Sequence, residues 1–381
     1  MRDVYIVGID MLKFGRFPGK TPGELGGEAA LNAMDEAGVT IHDIEALYCG
    51  NQFDAAGMVA QQVQKQIGQT GIPAANIRNA CATGATAFRE AMYLIKAGAA
   101  ETTLAIGCEV MPRGLLGGGA PAVGIPTEGI LGSGSMPCVF AEAGQSYAHD
   151  HGATFAQFAQ VAVKNHWHAT MNPKAMYQKE TPLEEVMGAE MIAYPNTKLM
   201  CSVNVDGAAA AVLMSEDEAR KRGVMDRAVR VRASALASDP FTARNEAMWD
   251  VNACTRLAAE AAYRQAGIGP EEIDLVELHD CFATAELLHY ENLGLCGKGE
   301  AGRLIEDGET QLGGRIPVNV SGGLLSKGHP IAATGIANLY ELTLHLRGQA
   351  GARQVENARF GLAHVVGLGT VAAVHILEKA N

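Results

Sequence analysis

Cys81 has the sequence setting that best fits nucleophilic chemistry in this chain of 381 residues. It lies in NACATGATAF, which begins at Asn79, and the preceding IRNA is apolar and strand-like. The following ATGATAFREAMYLIKAG, rich in small residues, predicts a helix. Cys81 is thus predicted at a strand-to-helix junction, where backbone N–H groups and the helix dipole lower a thiol's pKa. The alternative is an ordinary small buried residue before a helix.

His329 is the candidate base for that thiol. It lies in the glycine-rich segment NVSGGLLSKGHPIAATG, which starts at Asn319 and predicts a tight loop. Pro330 suits the first turn of a following helix, which would place His329 at a helix start in the same way as Cys81. A cysteine and a histidine at paired helix starts can face each other, so that the imidazole takes the thiol proton. A histidine before proline also occurs in purely structural roles.

His279 and Cys281 form a second reactive pair at the end of the segment IDLVELHDCF, which begins at Ile273. The carboxyl end of a buried strand is where α/β proteins place reactive side chains. His279 is suited to positioning a water molecule or donating to an oxyanion. Cys281 is suited to moving a proton to and from carbon. The alternative is a buried cysteine beside a histidine that makes a structural hydrogen bond.

Internal repeats identify the elements that must position these residues. AMDEAGVTIHDIEALYCGN from Ala33 matches AYRQAGIGPEEIDLVELHD from Ala262 without a gap, and each copy predicts a helix, a turn and a buried strand. ATG recurs in ATGATAFREAMYLIKAG and ATGIANLYELTLHLRG, and GAAAAVLMSE recurs as GTVAAVHILE. Three matches in the same order indicate a duplicated unit.

The repeats predict an α/β fold of two pseudo-symmetric, α/β/α-layered halves with mostly parallel sheets. The first half spans residues 1–120 plus 198–220, and the second spans 225–381. An inserted loop domain occupies 121–197, and its entrance, GLLGGGAPAVGIP from Gly114, predicts a mobile loop. MRDVYIVGID at the N-terminus predicts a first buried strand.

Composition excludes several classes of protein. The formal net charge of −12 argues against nucleic-acid binding. No apolar run approaches the roughly 20 residues of a membrane span. The eight cysteines are scattered without zinc-type spacing, which predicts mostly buried, reduced thiols and a cytoplasmic protein without a metal site.

These blocks together resemble the thiolase superfamily, most closely its sterol-carrier-protein type and acetyl-CoA acetyltransferase-like relatives. NACATGATAF resembles the family's nucleophile block, and HDCF stands where ordinary thiolases have NEAF. The GHP block contains His329, and KNHWHATMNP and CSVNVDGAAAAVL resemble further family segments. The resemblance covers nearly the whole chain.

The resemblance implies roles for these residues and shows one departure. Ordinary thiolases end on a Cys-x-Gly motif, whereas here Val365, Val366 and Gly367 occupy that place. The sterol-carrier type has His-Asn-x-Gly-x-Gly there, which His364 and Gly367 fit and Val365 does not. The family logic makes Cys281 the substitute acid/base.

The resemblance implies acyl transfer between coenzyme A thioesters, with no permanently bound cofactor. His329 activates Cys81, which takes the acyl group, and Cys281 moves the α-proton. His279 and His329 stabilise the enolate, and the backbone N–H groups of Cys81 and Gly367 form the oxyanion hole. The insertion holds CoA, and the chain forms a homodimer or a dimer of dimers. No sterol-carrier lipid-binding domain is expected after the thiolase region.

Two alternative functions stay open from the sequence. One is a retro-aldol lyase that acts on a β-hydroxyacyl-CoA, such as one with a steroid side chain. The other is a thiolase-like subunit of a larger complex that includes a small zinc-ribbon/OB-fold partner protein. The leading prediction is a thiolase that cleaves or forms 3-ketoacyl-CoA.

Overall fold

The computed structural model describes residues 2–113, 135–241 and 250–380. Its strands are β1 (Val4–Met11), β2 (Ala46–Gly50), β3 (Ala74–Ile77), β4 (Thr102–Glu109), β5 (Met191–Ala193), β6 (Asn196–Thr197), β7 (Gly207–Ser215), β8 (Val229–Ser238), β9 (Leu275–Glu277), β10 (Phe360–Gly367) and β11 (Val371–Lys379). β5 and β6 form a small hairpin, and the other strands form one nine-stranded sheet in the order β3-β2-β4-β7-β1-β8-β11-β10-β9. The predicted N-terminal strand is confirmed as β1.

Helices cover both faces of this sheet and fill the connections. They are α1 (Pro22–Ala37), α2 (Val59–Ile67), α3 (Thr83–Lys96), α4 (Met136–His151), α5 (Phe155–Thr170), α6 (Leu183–Gly188), α7 (Glu216–Lys221), α8 (Ala253–Ala266), α9 (Ala283–Asn292), α10 (Ala301–Glu306), α11 (Gly323–Ser326) and α12 (Thr334–Leu346). Four short 3-10 helices lie at Ile41–Asp43, Lys198–Met200, Pro270–Glu272 and Gly351–Arg353. No helix of the described ranges is both long and apolar enough to cross a bilayer.

The duplicated pattern of the sequence reappears in the sheet. β3, β2, β4, β7 and β1 lie on one side and β8, β11, β10 and β9 on the other, and β1 joins the two groups by antiparallel pairing with β8. In each group a helix, a left-handed glycine and a 3-10 turn precede a parallel strand, as the repeat predicted. Gly38 ends α1 with φ 69°, and Gly267 ends α8 with φ 71°.

The sheet is mixed, and the expectation of mostly parallel strands was wrong. Only the pairs β2–β3, β2–β4 and β9–β10 of the large sheet are parallel. β11 follows β10 after three residues, 368–370, a connection too short for the crossover that parallel pairing requires. β7 returns after the insertion and pairs antiparallel with both β4 and β1.

The paired helices α3 and α12 approach each other closely at their first turns. A Cβ atom on Gly84 would lie 2.3 Å from the carbonyl oxygen of Ala332, and one on Gly335 would lie 2.4 Å from the backbone nitrogen of Ala85. Both glycines belong to the repeated ATG triplets, so the triplets mark the crossing of two duplicated helices. This crossing brings the N-termini of both helices to one region of the molecule.

The predicted insertion contains α4, α5, α6 and the β5–β6 hairpin in its described part. Its α5 packs against α9 of the second half, where the buried ammonium of Lys164 lies 2.9 Å from a carboxylate oxygen of Glu286. The glycine-rich entrance from Gly114 lies outside the described residues. The limits of the two halves and of the insertion stay predictions.

Candidate active site

Cys81 lies where the chain turns from β3 into α3, so the predicted strand-to-helix junction is confirmed. The turn is tight: Ala80 has a φ of 48°, and the Asn79 N–H donates to the Thr83 hydroxyl at 2.7 Å. The side chain of Cys81 is 9 % exposed. This geometry fixes the thiol at the N-terminus of α3 and leaves one side of it open to a cavity.

His329 contacts the Cys81 thiol, with 3.3 Å between Nε2 and Sγ. Its predicted place at a helix start is wrong, because α12 begins at Thr334 and an intervening turn starts at Pro330. The residue that matches Cys81 in the duplicated ATG segments is Ala332. The His329 backbone N–H donates to the carbonyl of Val203 at 2.8 Å, which holds the loop across the thiol.

Thr334 fixes the tautomer of His329 and was not identified from the sequence. The Thr334 hydroxyl donates to the carbonyl oxygen of Pro330 at 3.0 Å. Its oxygen lies 2.7 Å from His329 Nδ1 and therefore accepts the proton that Nδ1 carries. The lone pair of Nε2 is then free to accept the Cys81 proton, as a general base requires.

Replacing Thr334 with valine should lower the kcat/KM of any reaction that uses Cys81 as a nucleophile by about 10-fold to 100-fold. This loss is part of the roughly 10²-fold to 10⁴-fold rate increase that general base catalysis contributes. The valine keeps the shape of the side chain and removes the acceptor that holds the Nδ1 proton. Steady-state kinetics of Thr334→Val measures the loss, and Thr334→Ser serves as the control because it keeps a hydroxyl. Equal losses in both variants would contradict a tautomer role.

His279 and Cys281 follow β9, as predicted, and come close to the first pair. The rings of His279 and His329 meet edge to face with 5.1 Å between their centroids. Cys281 is 6 % exposed, and its backbone oxygen accepts from the Ser202 N–H at 2.9 Å. The sequence prediction that these two residues belong to one site with Cys81 therefore agrees with their placement.

Asp280, between them, anchors the glycine loop to this segment. Its carboxylate accepts from the N–H groups of Leu324 at 2.7 Å and Leu325 at 3.3 Å, and from the Asn165 side chain at 2.8 Å. A Cβ on Gly323 would lie 2.1 Å from this carboxylate, so the position requires glycine. The His279–Asp280 segment and the Gly322–Gly323 loop are therefore parts of one folded unit.

Gly367 and Leu368 approach Cys81 from the end of β10. A Cβ on Gly367 would lie 2.6 Å from the backbone oxygen of Asn79, so glycine permits this close contact. The amide of Leu368, one residue beyond the predicted donor Gly367, acts together with the Cys81 amide to lower the pKa of the Cys81 thiol against the effect of burial. An oxyanion role for the Gly367 N–H stays a prediction. Val365 packs in an apolar cluster with Cys81, which accounts for the absence of a polar residue there.

The resting thiol and imidazole are both neutral. Burial raises the pKa of Cys81 to about 12, although the amides of Leu368 and Cys81 act in the opposite direction. Burial also lowers the pKa of His329 to about 3 and moves that of His279 well below its usual value. The expected lowering of the thiol pKa was therefore wrong, because loss of hydration outweighs the helix terminus.

Alkylation of Cys81 by iodoacetamide should accelerate about tenfold per pH unit from pH 6 to pH 9, because the reactive thiolate is a minor species throughout. A free cysteine in the same buffer levels off near its pKa of about 8.5 and provides the control. Peptide mass spectrometry separates Cys81 from the other thiols. A rate that stays flat over this range would reveal a preformed thiolate–imidazolium pair and contradict the neutral resting state.

All four predicted catalytic side chains, Cys81, His279, Cys281 and His329, line one cavity of about 370 Å³. Its remaining walls are mainly apolar and include Phe53, Met111, Met136, Phe140, Phe282 and Leu368. Met136 and Phe140 come from α4, so the described part of the predicted insertion contributes to the cavity. Such a cavity suits an apolar group attached to a reactive carbonyl.

Comparison with known proteins gives matches along almost the whole chain. Residues 4–191 match the model of the thiolase N-terminal domain, and residues 236–379 match that of the thiolase C-terminal domain-like family. The chain is 38% identical to an acetyl-CoA acetyltransferase of Methanothermobacter thermautotrophicus, with all of both chains covered. It is 37% identical to rabbit (Oryctolagus cuniculus) sterol carrier protein 2, over 98% of this chain and 72% of that protein. It is 36% identical to the benzoylsuccinyl-CoA thiolase subunit BbsB of Thauera aromatica, over 97% of this chain and 95% of that one.

Solved structures share the fold. The structure titled Ltp2-ChsH2(DUF35) aldolase superposes with a TM-score of 0.84 at 24% identity, covering 100% of this chain and 98% of that one. Human mitochondrial 3-ketoacyl-CoA thiolase superposes with a TM-score of 0.76 at 17% identity, covering 100% of this chain and 99% of that one. The family models, the relatives and the two-halved sheet agree with one another, and the chain belongs to the thiolase superfamily as a member of its sterol-carrier-protein type.

Proposed function

We propose that this protein is an acyl-CoA C-acyltransferase that cleaves or forms 3-ketoacyl-CoA through an acyl group on Cys81. The observation that carries the proposal is the 3.3 Å contact between Cys81 Sγ and His329 Nε2, with the Thr334 hydroxyl oxygen 2.7 Å from the opposite ring nitrogen. A nucleophile, a base and a residue that orients the base form the arrangement that covalent catalysis requires.

The first step forms the acyl-enzyme. His329 Nε2 takes the Cys81 proton as Sγ attacks the carbonyl carbon of the substrate. The backbone amides of Cys81 and Leu368 lie beside the sulfur, where they can donate to the carbonyl oxygen as it gains negative charge. In cleavage the bond between the α- and β-carbons then breaks. The departing α-carbon takes a proton from Cys281, and acetyl-CoA or a longer acyl-CoA leaves.

The second step transfers the acyl group to an acceptor. In cleavage free CoA attacks the thioester, its thiol proton passes to the Cys281 thiolate left by the first step, and the proton on His329 returns to Cys81. In condensation the Cys281 thiol first gives its proton to the departing CoA thiolate, and the enolate of a second acyl-CoA then attacks the thioester. Cys281 removes the α-proton that produces this enolate, and His279 and His329 face its oxygen. An enolate oxygen only accepts hydrogen bonds, so each imidazole acts here as an N–H donor. Burial lowers the pKa of both imidazoles, which favours their neutral forms in the resting enzyme.

Coenzyme A thioesters are the proposed substrates, with no permanently bound cofactor. The apolar cavity beside Cys81 supports an apolar acyl group, and the presence of Met136 and Phe140 in its wall supports a role for the insertion in holding the substrate. Dimers that form through the cores, and a cytoplasmic location, belong to the same proposal.

A lyase or a complex subunit is the second candidate. The structure with a TM-score of 0.84 is titled Ltp2-ChsH2(DUF35) aldolase, and the Thauera relative is named as a subunit. A retro-aldol lyase would act on a β-hydroxyacyl-CoA and needs no acyl group on Cys81. A small zinc-ribbon/OB-fold protein is the partner that this alternative implies.

Three results separate the candidates. Cleavage of 3-ketoacyl-CoA by free CoA, measured for short, long and aromatic acyl groups, should occur with at least one of them. Release of an aldehyde or ketone from a β-hydroxyacyl-CoA in the absence of free CoA would support the lyase. Activity that appears only with a co-purified partner would support the subunit.

A further inference from the structure

The reactive residues of the cavity also have the geometry of a metal site. One ligand atom from each of Cys81, His279 and His329 lies within 4.8 Å of the other two. In the part of the chain that the structure describes, this is the group of histidine, cysteine and acidic residues that fits a metal ion. A sulfur and two imidazole nitrogens are ligands that zinc prefers.

The distances need little adjustment. Tetrahedral zinc, with bonds of about 2.1 Å to nitrogen and about 2.3 Å to sulfur, places its ligand atoms about 3.4 to 3.6 Å apart. Cys81 Sγ and His329 Nε2 are already 3.3 Å apart. No two of the three ligand atoms are more than 4.8 Å apart, so the third ligand, His279, has to close by at most about 1.4 Å, within the reach of a side-chain rotation.

Two further observations point to a ligand. His279 is 1 % exposed, yet its Nδ1 has no hydrogen-bond partner among the described residues, so no such bond opposes rotation of the ring. His329 already carries the outer hydrogen bond that metal-bound histidines make, because its Nδ1 lies 2.7 Å from the Thr334 hydroxyl oxygen. Three protein ligands at the wall of a cavity leave the fourth zinc position open to water.

We propose that Cys81, His279 and His329 bind one zinc ion reversibly, with the Cys81 thiol losing its proton to water. The ion occupies the nucleophile and the base together, so it competes with acyl-CoA and inhibits the enzyme. The binding claim stands on geometry alone, while the inhibition claim rests on the proposed function. Zinc is here an inhibitor and not a resident cofactor.

Zinc binding to the full chain can be measured by competition with a chromophoric chelator. The wild type should bind one equivalent, and Cys81→Ser and His279→Gln should each weaken binding by at least about 100-fold, the upper end of what loss of an outer hydrogen bond costs. Cys296→Ser provides the control, because Cys296 is a half-buried thiol that does not line the cavity. Equal affinities of the wild type and Cys81→Ser would overturn the proposal.

Cobalt gives a readout on the unaltered protein, independent of whether the variants fold. Co²⁺ in this site should show a thiolate-to-cobalt charge-transfer band that excess zinc removes, and absence of the band at saturating cobalt would also overturn the proposal. Failure of the proposed function looks different. Zinc binding without acylation would support the zinc site and contradict the proposed function. Acylation without zinc binding would overturn only the zinc site.

Discussion

Replacing Cys81 with alanine should lower kcat/KM for 3-ketoacyl-CoA cleavage by at least about 10⁴-fold, because the covalent route loses its nucleophile. The alanine fills the same turn between β3 and α3 and leaves the His329 loop anchored at Val203. Cys49→Ala is the matched control, since Cys49 is a fully buried thiol whose sulfur lies 3.8 Å from that of Cys108. The control should keep its activity within a few-fold.

The same variant separates the two candidate functions. A retro-aldol lyase breaks its bond without an acyl-enzyme, so Cys81→Ala would retain release of the carbonyl product from a β-hydroxyacyl-CoA. Retained lyase activity in Cys81→Ala, together with no thiolysis in the wild type, would contradict the acyltransferase proposal.

Replacing Cys281 with alanine should divide the reaction into its two halves. Condensation and 3-ketoacyl-CoA cleavage should fall by about 10²-fold to 10⁴-fold, the contribution of general acid–base catalysis, because no other thiol carries the α-proton. Transfer of an acyl group from acyl-CoA to Cys81 breaks no carbon–hydrogen bond and should change by only a few-fold. Burial raises the pKa of Cys281 well above its usual value, which favours the protonated thiol as the donor in cleavage.

Exchange of labelled CoA into acyl-CoA measures the first half-reaction, and 3-ketoacyl-CoA turnover measures the whole cycle. Cys281 is 6 % exposed, so a packing defect needs its own readout, which thermal unfolding of the same preparation supplies. Parallel loss of exchange and turnover with an unchanged melting temperature would contradict a role restricted to the carbon–carbon step.

The sequence predicted the parts of the fold that repeat and the parts that are local. The helix, glycine turn and strand around Gly38 and Gly267 were predictable because periodicity and a left-handed C-cap glycine act over a few residues. The position of Cys81 at a strand-to-helix junction was predictable for the same reason. The mixed directions of the strands were not predictable, because the direction of a strand depends on the path by which a long connecting segment returns to the sheet.

The site itself depends on contacts between distant segments. Asp280 accepts from the amide of Leu324, 44 residues away, and Thr334 acts on a thiol through His329. No local pattern indicates such pairs. The pKa of Cys81 was predicted in the wrong direction because helix position is visible in the sequence and the degree of burial is not.

An acyl group carried on Cys81 should be visible in the intact mass of the protein after brief exposure to acetyl-CoA or acetoacetyl-CoA. We expect a mass increase of one acyl group, mapped by peptide analysis to the segment that contains Cys81 and absent from Cys81→Ala. A wild-type protein that cleaves 3-ketoacyl-CoA and yet carries no adduct at Cys81, or carries it on another cysteine, would contradict acyl transfer through Cys81.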